Sequence, residues 1–545
     1  MSKKESFIKG TLILAAAALV ARLLGMVQRV PLEHIFGAAG NSAFTVANNV
    51  YLLILTVATA GIPSTLSKMV SERYALQRPS EAKRIYQAAL IFSGIVGVVI
   101  TVLLYVLAPV YTSMISTPEA TPALRALAPA LLLFPTISMM RGYFQGRGNM
   151  TAGGISQIVE QILRVATAIG LALVLLHAGF SDENVAAGAS FGGVLGSIGA
   201  FGVMLYFTFQ LRKADHSLQL EDLAAGNAPL PLMKIYGDIF KLSIPIVLSS
   251  LAIPAVNFID SSIVKPLLIG QVGEHLATQT LGILGSRAQS IAGIPPILSI
   301  ALSTSLIPVI SAAFARKDMA HLQKQTTLAM RIAILTGMPI VLVLCTAAYS
   351  VNGLLFSSLD GSGIIALLTF GTIFQITMST SSSILLGLGK PNLSMVHVLF
   401  GIVVKLVASL ALAPLFGIYG IVAGTGLCFL VITLLNLRSL KKIVPFSIMG
   451  RRWVGFLVTV VILALVGYGL NQAGIQLVSF ISPRIAFFIT CCIVGLATVA
   501  IYPLMLILLR VIRREELDSY PRPVRKLLQP LMRFAPASSR SHSEG

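Results

Sequence analysis

Ionisable side chains interrupt the long apolar runs of this sequence at only a few places, and those places carry the chemistry it can do. Arg22 and Arg29 lie two helical turns apart in one run, so a helix sets them on a common face. Glu160 and Arg164 stand one turn apart in another, within reach of an ion pair along a single helix. Arg287 and Lys405 lie deep in two further runs. Asp260 sits near the outer end of a third, where it caps or pairs with Lys265. Arg141 and Arg147 flank the inner end of a fourth. A charge at the bilayer centre costs at least ~2.5–3.5 kcal/mol on insertion scales, so it faces a cavity or a partner. Arg22, too deep to snorkel, is expected to face a polar cavity. Arg141, near a helix end, is expected to snorkel. Glu160 either satisfies Arg164 locally or holds it towards the same cavity. At mid-depth Arg22, Arg164, Arg287 and Lys405 stand against Glu160 alone. Such a cavity suits an anion, and guanidinium meets phosphate in bidentate fashion. A proton or sodium antiporter needs buried acids instead.

Other chemistry finds little support. Cys345, Cys428, Cys491 and Cys492 all lie in apolar runs without ligand spacing, so reduced thiols are expected, with no disulfide and no metal. The histidines form no pair at helical spacing. There is no nucleophile–base set and no phosphate loop, which points away from an enzyme and from a cofactor.

The elements that position these charges follow from composition. Of 545 residues, 56% are hydrophobic and 11% charged, against about a quarter charged in soluble domains. Runs such as 88–107 and 454–470 do not alternate, so they read as helices and not as barrel strands. An all-α polytopic membrane protein follows. About fourteen spans are expected, at 9–36, 44–68, 86–112, 124–146, 154–177, 185–211, 239–266, 279–314, 328–350, 363–388, 394–414, 417–438, 453–471 and 482–510.

The net charge of +20 suggests nucleic acid only in a soluble protein. Here the connecting segments alternate. Lys68, Arg73, Arg78, Lys83 and Arg84 fall on one side, and Glu33, Glu119, Asp182, Glu183, Glu274 and Asp360 on the other. The excess of Lys and Arg places both termini in the cytoplasm, with no nucleic-acid partner. The charged start and the apolar stretch Leu12 to Ala21 resemble a signal peptide, but the later spans favour an uncleaved first helix. The basic tail from Arg510 suits contact with anionic head groups.

The chain also repeats itself. Residues 62–90 match 307–333, FQGRGNM (144–150) matches LLGLGKPNL (385–393), and 184–196 match 417–429, each about 240 residues apart. The repeat is parallel. It predicts two six-helix lobes related by a pseudo-two-fold, over 1–215 and 239–440, joined by a cytoplasmic linker at 216–238. An extra helix pair occupies 441–510 and a basic tail 511–545.

ARLLGMVQRVPL (21–32), LTVATAGIPSTLSKMVSE (55–72), RGYFQGRGNMTAGGISQIVEQILRV (141–165) and LSIPIVLSSLAIPAVNFIDSSIV (242–264) resemble the polysaccharide-biosynthesis branch of the multidrug/oligosaccharidyl-lipid/polysaccharide (MOP) exporters. Within it they are similar to the MurJ and stage V sporulation protein B group, over nearly the whole chain to about residue 510. The resemblance implies fourteen helices in two lobes around a cationic cavity, with the last two helices grooving a lipid tail. It implies a lipid II flippase, which carries undecaprenyl-pyrophosphate-linked disaccharide-pentapeptide from the inner to the outer leaflet. Membrane lipids and the cell-wall synthesis machinery would be its partners, in the plasma membrane of a Gram-positive bacterium. The family arginines fall on Arg22, Arg29 and Arg287. In Gram-negative members the second arginine stands one residue earlier, where this chain has Gln28. Arg287 is offset by two residues from the following proline. Members that bind sodium use acids on the eleventh helix, where this chain has Lys405.

The expected site is therefore Arg22, Arg29, Arg164, Arg287 and Lys405, supported by Glu160, Asp260 and Arg141. A flippase for another polyprenyl-linked saccharide would look the same. A multidrug antiporter would show twelve spans and acidic cavity residues. A membrane glycosyltransferase or ligase would need a catalytic set in a large external loop, and every external loop here is short.

Overall fold

The computed structural model of the chain describes residues 7–59, 61–224, 232–297, 310, 311, 313, 314, 316–512 and 529. Among them the regular structure is helical throughout. In chain order the first helices are α1 (Phe7–Ile35), α2 (Ala38–Thr59), α3 (Ile62–Ala75), α4 (Pro79–Met114), α5 (Thr121–Leu127) and α6 (Ala130–Gly146). Then come α7 (Thr151–His177), α8 (Asp182–Ala224), α9 (Leu232–Ser250), α10 (Ala252–Val272) and α11 (Glu274–Gly282). α11 continues through a π turn, Ile283–Ala288, into Gln289–Ala292. The remaining helices are α12 (Met319–Thr346), α13 (Ala348–Phe356), α14 (Ser362–Gly387), α15 (Pro391–Phe416), α16 (Ile418–Ile443), α17 (Trp453–Gln476) and α18 (Pro483–Leu508).

Among the described residues 11 helical stretches are long and apolar enough to cross a bilayer, or 12 when the pair α5–α6, bent by 43°, counts as one span. The chain is a multi-pass membrane protein. The count of fourteen is not reached, because the expected span at 279–314 falls partly outside the described residues and several side chains of the span at 9–36 do too. Two expected spans are also broken. The run at 239–266 divides at Leu251 into α9 and α10. The run at 44–68 divides at Gly61, which holds φ +75. A Cβ on Gly61 would stand 3.0 Å from the Ser243 carbonyl oxygen and from Ile246 Cβ, so both its conformation and its contact with α9 favour glycine.

The helices divide between two compact units, Met1–Ser290 with Lys390–Cys428, and Ile291–Gly389 with Phe429–Gly545. In the first, Leu66, Val70, Ile85, Ile137, Phe144 and Met204 build a buried core where α3, α4, α6 and α8 meet. Gly142 and Gly146, one turn apart on α6, let that helix touch α3. Cβ atoms there would meet the Pro63 and Ser67 carbonyl oxygens at 2.7 Å each. The outward face of α4, with Ile95, Val98, Val102 and Val106, stays exposed. In the second unit Leu335, Leu342, Phe456, Leu463, Tyr502 and Leu506 form the core of α12, α17 and α18.

Prolines inside these helices leave carbonyls without an N–H donor one turn earlier. In two cases a neighbouring helix supplies it. Pro109 frees the Tyr105 carbonyl, which accepts from Arg125 Nε at 3.3 Å while the guanidinium lies 5.1 Å from the Tyr105 ring centroid. Pro339 frees the Leu335 carbonyl, which accepts from the buried Tyr502 hydroxyl at 2.9 Å. Tyr502→Phe is expected to destabilise the second unit by about 0.6–1.7 kcal/mol, the range of hydrogen bonds between membrane helices. Unfolding of the purified protein in a denaturant series measures it, and an unchanged midpoint would refute the assignment.

Candidate functional site

α7 and α8 form a hairpin around Gly179, at φ +75. Cβ atoms on Gly192 and Gly196 of α8 would meet the carbonyl oxygens of Arg164 at 2.7 Å and Glu160 at 2.8 Å. Small residues four apart allow this approach. With their backbone held there, the side chains of Glu160 and Arg164 reach α2 and α6. Arg164 donates to the Tyr51 hydroxyl at 2.7 Å and lies 5.3 Å and 5.7 Å from the ring centroids of Tyr51 and Phe134. Glu160 stands 3.8 Å from Arg164 but 2.8 Å from Arg141, so its closer partner comes from another helix. Arg141 also donates to Ser156 at 2.8 Å. The expected snorkelling of Arg141 is thus corrected, because its guanidinium reaches a carboxylate on α7. Two guanidiniums share one carboxylate, and the cluster keeps a single positive charge.

A second cluster joins α1 to the π turn. Arg287 Nε donates to Glu33 at 2.6 Å. Arg29, one turn before Glu33, donates to the Gly285 carbonyl at 3.3 Å and lies 5.2 Å from the Phe44 ring centroid. Ser286 donates to Asn41 of α2 at 2.9 Å. The wide turn lets the adjacent residues Ser286 and Arg287 each engage a different helix, and π turns recur at functional sites. Again two guanidiniums attend one carboxylate. Arg22 lies on α1 two turns before Arg29, and its side chain is outside the described residues.

Lys405 and Asp260 behave differently. Lys405 is fully buried and its ammonium stands 2.5 Å from Asp260, donating also to the Ile421 carbonyl at 2.7 Å. Thr425 donates to Asp260 at 3.1 Å. The pair is neutral and joins α10, α15 and α16, so Lys405 adds no net charge. The expected partnership of Asp260 with Lys265 is corrected too. Five residues at about 100° each set the two side chains about 140° apart on α10. Lys265 pairs instead with Glu119 at 3.0 Å and Glu274 at 3.6 Å.

Charge alternation along the sequence places Glu33 and Glu119 in outer connections. Both are buried partners of cations. Glu33 carried a usable signal, its one-turn spacing from Arg29. Tyr51 had none, since an aromatic in an apolar run has no distinguishing pattern. Asp182 also acts across helices. Its carboxylate accepts from the Gly37 and Gly40 amides at 2.8 Å and 2.6 Å, which caps the start of α2.

The fold is that of a MOP superfamily transporter. The chain superposes with a TM-score of 0.64 on a multidrug resistance MATE family transporter of that superfamily in its inward-facing conformation, 17% identical, over 77% of this chain and 96% of that one. A MOP superfamily transporter from Pyrococcus furiosus is similar at a TM-score of 0.58 and 17% identity, over 80% and 97%. Residues 7–314 match the family described as polysaccharide biosynthesis protein, and the chain belongs to that family. Stage V sporulation protein B of Bacillus subtilis (strain 168) is 27% identical over 533 residues, 95% of this chain and 98% of the relative. The lipid II flippase MurJ of the same organism is 26% identical over 462 residues, 82% and 84% of the two chains.

Proposed function

We propose that this protein is a flippase that carries a polyprenyl-pyrophosphate-linked saccharide, lipid II first among them, from the inner to the outer leaflet by alternating access. The observation that supports this most is the charge pattern. Arg141 with Arg164 around Glu160, and Arg29 with Arg287 around Glu33, each keep one positive charge, whereas Lys405 and Asp260 cancel. A pyrophosphate is the anion such guanidinium pairs suit. Both termini would lie in the cytoplasm of a Gram-positive cell, and an inside-negative potential would assist outward movement of the anion by ~2.3 kcal/mol per charge per 100 mV. Transport of this kind involves no covalent step.

The reading is tested by expressing the chain in a strain depleted of its lipid II flippase. Rescue of growth is the expected result, and failure of a well-expressed chain overturns lipid II as the substrate. A second reading, a related saccharide of the sporulation programme, is favoured by the end-to-end match with stage V sporulation protein B. Rescue of sporulation without rescue of growth would select it.

A further inference from the structure

A polar cavity of about 260 Å³ opens in the first unit where the end of α2 and the start of α3 face α6 and the first turns of α7. Thr59, Ser138, Arg141, Gln145, Asn149 and Gln157 supply its polar wall, with Pro63 and Met150 beside them. It touches neither Glu33 nor Arg287, and its chemistry differs from theirs.

Arg141 turns its Nη2 to Glu160 and Ser156 at 2.8 Å each, away from most of the wall, whose other polar groups are neutral. What remains is amide and hydroxyl. Thr59 donates its proton to the Leu55 carbonyl at 2.7 Å, which leaves its oxygen as an acceptor. Asn149 Oδ1 accepts from the Ala152 amide at 3.3 Å, which leaves the Asn149 NH₂ as a donor. Gln157 Oε1 is buried with no hydrogen-bond partner, an acceptor that wants a donor. A bare phosphate brings acceptors only. A sugar brings hydroxyl donors and acceptors together, and an acetamido group adds one of each. The volume equals the liquid share of about nine waters, below the range of about 300–1,000 Å³ for drug-sized sites, so it suits one ring. Pro63 and Met150 offer apolar surface for the C–H face of that ring.

We infer that this cavity is a sugar subsite that binds a single N-acetylhexosamine ring of the transported saccharide. The choice of that sugar rests on the flippase reading; the cavity and its donor–acceptor pattern do not. Gln145 and Gln157 are its specificity-determining residues, and Arg141 is a positioning residue held by Glu160.

The test uses the full chain in lipid nanodiscs with N-acetylglucosamine as the probe, followed by saturation-transfer NMR, and inorganic pyrophosphate as the comparison. N-acetylglucosamine should give saturable transfer that excess pyrophosphate does not displace. Gln145→Met and Gln157→Met should each weaken it by up to about tenfold while the protein keeps its elution volume and melting temperature. Absence of saturable transfer, displacement by pyrophosphate, or equal affinity in folded variants overturns the subsite. If both variants unfold, Gln145→Glu, which keeps the shape but exchanges the amide donor for a charged acceptor, must still weaken binding, and unchanged binding there overturns the proposal. Growth rescue is scored separately. Rescue without sugar binding removes the subsite and leaves the flippase, whereas sugar binding without rescue of growth or sporulation removes the flippase reading and leaves a sugar site.

Discussion

Arg287→Ala is expected to abolish growth rescue, and the double variant Arg287→Ala/Glu33→Ala to restore the fold without restoring rescue. Arg287 is the near partner of Glu33, at 2.6 Å, and Glu33 is 7% exposed. Removing one member of a buried ion pair costs up to about 3–5 kcal/mol, and here the loss is softened only by the more distant Arg29, one turn before Glu33. The single variant therefore loses stability and function together and cannot separate them. Removing the carboxylate as well relieves the acid and leaves Arg29 with its Gly285 carbonyl and the Phe44 ring, so the double variant should be more stable than the single one. The guanidinium is still absent, so on the proposed reading an anionic head group would lose one of two anchors in that cluster. Protein level by immunoblot, unfolding in detergent and growth rescue are read in parallel. A well-folded double variant that supports normal growth would remove Arg287 from the anion site.

The converse pattern is expected at Lys405. Lys405→Met should leave Asp260 as an isolated buried carboxylate and lower stability by about 3–5 kcal/mol, whereas Lys405→Met/Asp260→Leu should be close to neutral. Replacement of a buried ion pair by apolar side chains of similar volume is often neutral or stabilising. Growth rescue should follow stability: lost in the single variant and kept in the double. A stable double variant without rescue would show that the pair does more than join α10, α15 and α16.

The helices and their approximate places were legible because hydropathy over a span is a sum of many residues, and no single contact alters it. Breaks within spans were not, because they depend on tertiary contact. Gly61 bends the chain where α9 presses against it, and nothing local distinguishes it from other glycines in apolar runs. The deep cations were legible as exceptions to an apolar background. Their partners were harder. Charge alternation places Glu33 and Glu119 in loops, although Glu33 lies in the last turn of α1 and both acids are buried against cations. Asp260 was matched with Lys265 by proximity along the chain, where angular position around the helix decides instead. Among the described residues each arginine cluster carries two guanidiniums and one carboxylate.

The π turn at Ile283–Ala288 has a consequence for how this region changes over generations. A π turn amounts to one residue inserted into an α-helix. Loss of a single codon there would restore ordinary helical winding and leave the later side chains facing as before, shifting only those inside the turn, Arg287 among them, whereas a deletion in the regular helix would rotate every later side chain by about 100°. Relatives that differ by one residue in this stretch therefore need not differ in substrate. They should show compensating shifts of the acid on α1 or of the residue facing Asn41, and a one-residue deletion placed elsewhere in the same helix should be far less tolerated.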